Sequence, residues 1–436
     1  MKTRKMKDSG VEWLGSVPEG WPVERLQWHL EEVAVKNDPV KTTNVLSLTI
    51  DRGVIPYSEK GNVGNKSKED VSQYKIAYPE TIVANSMNIL IGAVGLSKYE
   101  GCVSPVYYVF RARHNACIEF FNYLFQMPAF QKELRRFANG ILEIRLRVSA
   151  DDILKRRLAI PTIPEQRAIA AYLDKRCAKI DAMVADAKKL IEEYKQWKAS
   201  VIFEAVTGKV GVDGRCSCRT MRDSGVEWIG AVPEGWKIKR FKYIATSLRK
   251  GSGITKEEVF EDGDLPCVRY GEIYSRYGFT VDDCISKTKK ESLQDLVWVS
   301  CGDILFACTG ELVEEIGKNI LYAGNVPCVA GGDIMVASHD QNPAFLNYYL
   351  GCHSTQFQKS RNKTKLKVVH VKTSDIANLL VLLPPLPEQR AIAAYLDRKC
   401  AAIDRVVTEK EGLIADLEQY KKSLIFECVT GKREVA

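Results

Sequence analysis

Histidine is scarce in this chain. Only five occur among 436 residues, at positions 29, 114, 339, 353 and 370, and no two stand at the i, i+4 spacing that puts two ring nitrogens on one helix face for a metal. The thirteen cysteines include no CxxC pair. Cys216 and Cys218 form a lone CxC without companion ligands, so reduced thiols are expected, with no metal site and no disulfide framework. No apolar run reaches the ~18–20 residues of a membrane span. The basic start MKTRKMKDSGVEW has no apolar stretch behind it, so no secretory leader is expected, and the cytoplasm is the expected location.

Catalytic signatures are missing as well. A GxxxxGK[ST] phosphate loop would mark a nucleotide-driven motor, but the two VTGK sequences run on into Val210 and Arg433, and Gly317-Lys318 into Asn319. Adenine methyl transfer calls for an Asn/Asp-Pro-Pro-aromatic loop, and Asn342-Pro343-Ala344-Phe345 lacks the second proline. Gly302-Asp303-Ile304 and Gly332-Asp333-Ile334 read as strand-edge turns, since no suitably spaced Glu-x-Lys follows Asp303 to complete a nuclease site. These absences argue against a self-contained enzyme: no catalytic residue, metal ligand or cofactor is expected here.

What the chain does have is a duplication. MKDSGVEWLGSVPEGW (Met6 to Trp21) returns as MRDSGVEWIGAVPEGW (Met221 to Trp236), and PEQRAIAAYLD is identical at Pro164–Asp174 and Pro387–Asp397. One unit is written twice, with shared ends and unshared middles. Shared ends imply common scaffolding, and unlike middles imply that two different things are recognised. A hydrophobic content of 45% supports packed domains, and the length exceeds what one core usually supports. The expected segments are a first domain with its entry segment (1–160), a helix (161–208), a linker, entry segment and second domain (209–383), and a second helix (384–436).

Each unit reads as an entry segment, a mixed middle and a long helix. The entries carry Trp13, Trp21, Trp228 and Trp236, four of seven tryptophans, around Pro-Glu-Gly turns, and should dock the chain onto its domain. Short β-rich runs fill the middles at Asn44–Ile50, Thr81–Ala84, Val103–Arg111, Asp303–Ala307 and Asp333–Ala337. A short helix is expected after Asn115 and another after Asn342, each asparagine serving as the cap. Pro164 and Pro387 suit a first helical turn, Glu165 and Glu388 suit its dipole, and Gly208 and Gly431 suit its end. Between these signals runs an apolar 3–4 spacing. It picks out Ile180, Met183, Ala187, Leu190, Tyr194, Trp197 and Val201 in one copy. In the other it picks Ile403, Val406, Leu413, Leu417, Tyr420 and Leu424, with Lys410 interrupting. The expected fold is α+β: two mixed domains separated by two long antiparallel coiled-coil helices, with pseudo-twofold tandem symmetry. Ile180, Met183, Leu190, Trp197, Ile403, Val406, Leu413 and Tyr420 are the expected interhelix or subunit contacts.

A net charge of +8 permits nucleic-acid binding, but the charge is spread thinly, so contacts must come from local clusters. The densest is Lys359 to Lys372, holding Arg361, Lys363, Lys365 and Lys367; the last three would share one face of a strand. A looser counterpart has Arg135, Arg136, Arg145 and Arg147. Two glycine-containing basic loops add Lys66 and Lys68 in one and Lys250 in the other, and Arg269 follows a Pro-Cys-Val strand from which it could reach a base edge. A solvated charged face is the competing reading for each cluster.

The repeated Pro164-Glu165-Gln166-Arg167-Ala168-Ile169 with Leu173-Asp174 and its copy at Pro387–Asp397 carry a resemblance. So do the GVEWxGxVPEGW entries and the exits Val206-Thr207-Gly208-Lys209 and Val429-Thr430-Gly431-Lys432. Gly92-Ala93-Val94-Gly95 through Ser104-Pro105-Val106-Tyr107 belongs with them. Together they resemble the specificity subunit of type I restriction–modification enzymes, over essentially the whole chain. The resemblance implies a non-catalytic subunit whose two target recognition domains each read half of a bipartite, asymmetric double-stranded DNA site. It implies helices that set the spacer and dock two modification (methyltransferase) subunits carrying S-adenosylmethionine, with restriction (translocase/nuclease) subunits using ATP and Mg²⁺. The alternative is a coiled-coil interaction scaffold without specific DNA binding.

Overall fold

The computed structural model describes residues 4–50, 52–61, 70–140, 146–211, 219–293, 295–361 and 369–435. The chain divides into two compact units, Met1–Lys188 with Glu411–Ala436, and Lys189–Lys410. Each unit therefore takes one middle together with part of both long helices.

In the first unit the entry is a hairpin, Met6–Asp8 against Ser16–Pro18, followed by Val23–Arg25, which pairs with Arg157–Ala159 just before the long helix. The middle is built on an antiparallel sheet ordered Leu30–Glu32, Tyr107–Ala112, Thr81–Asn85, Val94–Leu96. Two smaller pairs, Leu46–Thr49 with Gly53–Pro56 and Lys75–Ala77 with Gly101–Val103, meet through a parallel bridge between Val45 and Cys102. The helix Ile118–Gln126 buries Phe120, Phe121, Leu124 and Phe125, and the Phe125 ring stacks on Phe110 of the sheet at 5.7 Å.

The second unit repeats the plan. Lys237–Arg240 pairs with Leu380–Leu383 ahead of its long helix. Its sheet runs Ala245–Lys250, Ile334–His339, Ile304–Ala307, Asn319–Tyr322, the order found in the first unit, and then adds Thr280–Val281 as a parallel edge strand. The smaller pairs correspond to one continuous sheet, Ser286–Thr288, Leu265–Val268, Cys328–Ala330, Trp298–Val299, again with one parallel contact. The five β-rich runs of the sequence all contain strands. Asn342 caps Pro343–Gly351, its Oδ1 accepting from the Phe345 N–H at 2.9 Å. Asn115 caps nothing: Ile118–Gln126 begins after Cys117, whose N–H donates to Gln166 Oε1 at 2.8 Å. A side chain from the long helix does the work expected of a local cap.

The long helices are Ile163–Val206 and Leu386–Val429, 44 residues each, or roughly 66 Å at ~1.5 Å per residue. They lie antiparallel. In the first unit Cys177 and Ile180, early in one helix, share a core with Leu424 and Cys428, late in the other. In the second, Val201 and Ala205 share a core with Leu396 and Cys400.

The shielded row differs from the one the apolar pattern selects. It comprises Cys177, Ile180, Val184, Ala187, Ile191, Tyr194, Lys198 and Val201, matched by Cys400, Ile403, Val407, Lys410, Ile414, Leu417, Lys421 and Leu424. Ile180 and Ile403 are buried as expected, at 6% and 3% exposure, and Val406 is half-buried. Met183, Leu190, Trp197, Leu413 and Tyr420 are 39–51% exposed. Both rows obey a 3–4 spacing and share Ile180, Ala187, Tyr194 and Val201, so they differ only in whether the next position lies three or four residues on. Bulk favoured Met183, Leu190 and Trp197. Packing chose Val184 and Ile191 instead, and admitted Lys198 and Lys421, whose ammonium groups pair with Asp404 and Asp181 at 2.7 and 2.6 Å.

Candidate nucleic-acid interface

The repeated blocks clamp each middle to its helix. Glu165 accepts from the Trp21 indole N–H at 2.9 Å and pairs with Arg4; Glu388 accepts from Trp236 at 3.2 Å and pairs with Arg219. Gln166 and Gln389 each bridge a backbone N–H of the middle, Cys117 or Asn342, to the carbonyl of Pro161 or Pro384. Tyr123 donates to Asp174 at 2.6 Å and Tyr348 to Asp397 at 2.9 Å, and burial with this carboxylate contact pushes both phenols far above their usual range. The exits close the clamp. Gly208 and Gly431 have φ of +73° and +72°, and a Cβ at either would run into Pro233 or Pro18 of an entry turn. Identical residues thus do identical structural work on both middles.

Burial quietens several of the thiols. Burial pushes Cys117 and Cys308 up to about 11 and Cys428 up to about 12, which keeps them protonated and poor nucleophiles. Among the described residues no three His, Cys, Asp or Glu side chains are grouped to hold a metal, and no helix is long and apolar enough to cross a membrane.

Six of the expected DNA-binding residues, Lys66, Lys68, Arg145, Lys363, Lys365 and Lys367, lie outside the described residues. The other four have distinct surroundings. Arg361 is exposed at the end of the helix His353–Ser360, its guanidinium 5.3 Å from the Trp228 ring. Arg147 is exposed on extended backbone held by two main-chain hydrogen bonds to Asn139, at 2.8 and 2.9 Å. Lys250 ends its strand at the rim of a 440 Å³ cavity that Glu258 and Asp295 also line. Arg269 is engaged: its Nε and Nη2 both hold Glu272 Oε1 at 2.9 Å, which ties the guanidinium to its own helix start instead of offering it to a base. Arg136 is likewise neutralised, by Glu12 at 2.9 Å and Glu133 at 3.3 Å.

One recurrent feature escaped the cluster search. Trp28 and Tyr243 occupy the same turn in the two units and are 53% and 69% exposed. Each lies beside the two-stranded ribbon leading to a long helix. In the first unit Arg25 and Arg157 face each other across the ribbon, with Lys155 and Arg156 preceding. In the second, Arg240 keeps the place of Arg25 and the further basic residues lie on its own strand, as Lys237 and Lys239, with Lys242 in the turn. Aligning the two copies would have revealed an aromatic kept beside positive charge, a combination that suits stacking and phosphate contact.

The structure is thus a duplicated α+β unit, each copy clamped to the long helices and carrying exposed basic and aromatic groups. Residues 27–193 and 233–418 each match the family described as type I restriction modification DNA specificity domain, and the chain belongs to that family. It is 22% identical to a putative type I restriction enzyme specificity subunit, MjaX, of Methanocaldococcus jannaschii, over 97% of this chain and 96% of that one. Against the specificity subunit of the EcoKI enzyme of Escherichia coli K12 it is 22% identical, over 63% of this chain and 57% of that one. A solved structure from work on complex assembly and conformational transition of the type I R-M system superposes with a TM-score of 0.72 over 95% of this chain and 98% of the other, at 16% identity. The HsdS subunit of Thermoanaerobacter tengcongensis gives 0.52 at 17% identity, over 96% and 98%.

Proposed function

We propose that this chain selects the DNA site for a type I modification and restriction complex, each middle reading one half of a bipartite, asymmetric sequence. The observation that carries this is the pairing of one topology and one clamp with two unlike sets of surface residues. The scaffold repeats to the residue at Trp21–Glu165 and Trp236–Glu388, while the exposed groups on the middles do not. Unlike readers on a common frame predict unlike half-sites. The long helices set the length of the unread spacer.

Partner subunits supply the chemistry. Two modification subunits bring S-adenosylmethionine, restriction subunits bring ATP and Mg²⁺, and this chain binds none of these and catalyses nothing. The exposed apolar residues at seven-residue spacing, Met183, Leu190 and Trp197 on one helix and Leu413 and Tyr420 on the other, are the docking rows for modification subunits. A row of that size left open to water is an interaction surface.

Binding of a random duplex across a salt series tests the reading against an interaction scaffold. A DNA reader loses affinity steeply and linearly in log salt; weak, salt-independent retention favours the scaffold.

A further inference from the structure

In the second unit, Trp228 of the entry hairpin, Arg240 of the ribbon, Arg361, Ser374 and Asn378 line a cavity of about 530 Å³. Its charge is poorly matched from within. Among the described residues no carboxylate lies within 4 Å of Arg361, whose guanidinium rests over the Trp228 ring. Arg240 uses Nη1 on Asn378 Oδ1 at 3.1 Å, which leaves its other N–H groups for a ligand. The Trp228 Nε1 is buried and has no hydrogen-bond partner among the described residues. Asp375 is the one carboxylate of the lining, and it accepts from the Lys372 N–H at 3.0 Å.

The first unit shows what is missing. Arg136 follows the helix Pro128–Arg135 as Arg361 follows His353–Ser360, and it is held by Glu133 and Glu12. The residue matching Glu133 is the neutral Gln358, whose amide is spent on the Leu380 backbone. The first unit supplies its own anion at this place; the second removes it and keeps the arginine, beside Arg240, which stands where the first unit has Arg25, and the Ser374 hydroxyl. Two guanidinium groups and a hydroxyl lining one cavity match the oxygens of a phosphate.

We propose that this cavity binds a phosphate group and that the DNA backbone supplies it, an assignment that rests on the DNA-reading function above. Being a backbone contact, it holds the second middle in register and carries no base preference.

The test uses the full chain with Arg361→Gln, Arg240→Gln and Gln358→Glu, the last restoring the internal anion while keeping both guanidinium groups, at the loss of the Gln358 Nε2 hydrogen bond to the Leu380 carbonyl. Arg361 and Arg240 are exposed, so the folded state should survive, and a melting curve verifies this. Random duplex is titrated across a salt series, and inorganic phosphate is titrated by thermal shift. Each variant should lower the slope of log affinity against log salt by ~0.9 per lost phosphate contact, and weaken all sequences equally. An unchanged slope with an unchanged phosphate response overturns the site. A phosphate response lost in Arg361→Gln with an unchanged slope overturns the DNA assignment and leaves a free-phosphate site. If the unaltered chain binds duplex with no salt dependence, the DNA-reading function fails, and the cavity is judged on the phosphate response alone.

Discussion

The Trp21 indole N–H donates to Glu165 Oε2 at 2.9 Å, across 144 residues of sequence. The contact ties the entry segment to the first turn of the long helix, on the far side of the whole middle. Trp236 and Glu388 repeat it in the second unit at 3.2 Å. Because the middle is strung between these two residues, its surface can change while its seat does not.

Trp21→Phe keeps most of the ring and removes the donor. A hydrogen bond to a charged acceptor contributes ~1.5–3 kcal/mol, so the variant should lose about that much in urea unfolding of the first unit. Glu165→Gln should lose less of the indole contact, since an amide oxygen still accepts, while the Arg4 pair disappears. A Trp21→Phe variant as stable as the parent would remove the clamp from the account.

The two helix rows make opposite predictions. Ile180→Ala and Ile191→Ala empty buried positions at 6% exposure each and should cost ~2–5 kcal/mol. Leu190→Ala and Trp197→Ala change exposed side chains and should stay within ~0.5 kcal/mol of the parent, while weakening capture of a modification subunit. If the exposed pair costs as much stability as the buried pair, the observed register is wrong.

Lys359 gives a pH signature. Its side chain is 1% exposed, donates to Asn319 Oδ1 at 2.9 Å, and burial pushes its pKa down to about 7. Unfolded, it titrates near ~10.4. Between these values the unfolded chain binds a proton that the folded chain does not, so this site makes stability rise with pH across the window from about 7 to ~10.4. Lys359→Met should flatten that rise in denaturant midpoints measured at neutral and alkaline pH. An identical pH dependence in the variant would mean that Lys359 folds charged.

Much of this was legible beforehand, for physical reasons. Pro164, Glu165 and Gly208 mark the ends of a helix by local chemistry, and both helices begin and end within a residue or so of those marks. The coil register was not legible, because rows through Met183 and through Val184 satisfy the same spacing and only the partner helix distinguishes them. The role of Gln166 was hidden for a similar reason: its partner, the Cys117 N–H, lies 49 residues away. Arg269 is the opposite case. Glu272 sits three residues on, the spacing at which helical side chains meet, and its claim on the guanidinium was available in the sequence.

The most direct measurement of the central claim is a domain exchange read by methylation-sensitive sequencing. Residues 22–160 are replaced by the equivalent segment of another family member, and the chimaera is expressed with its partner subunits. The account predicts a modified motif of two unlike halves about an unread spacer, in which the exchange rewrites one half and leaves the other half and the spacer length untouched. A motif that changes in both halves, or one that is contiguous or palindromic in the parent, would contradict it.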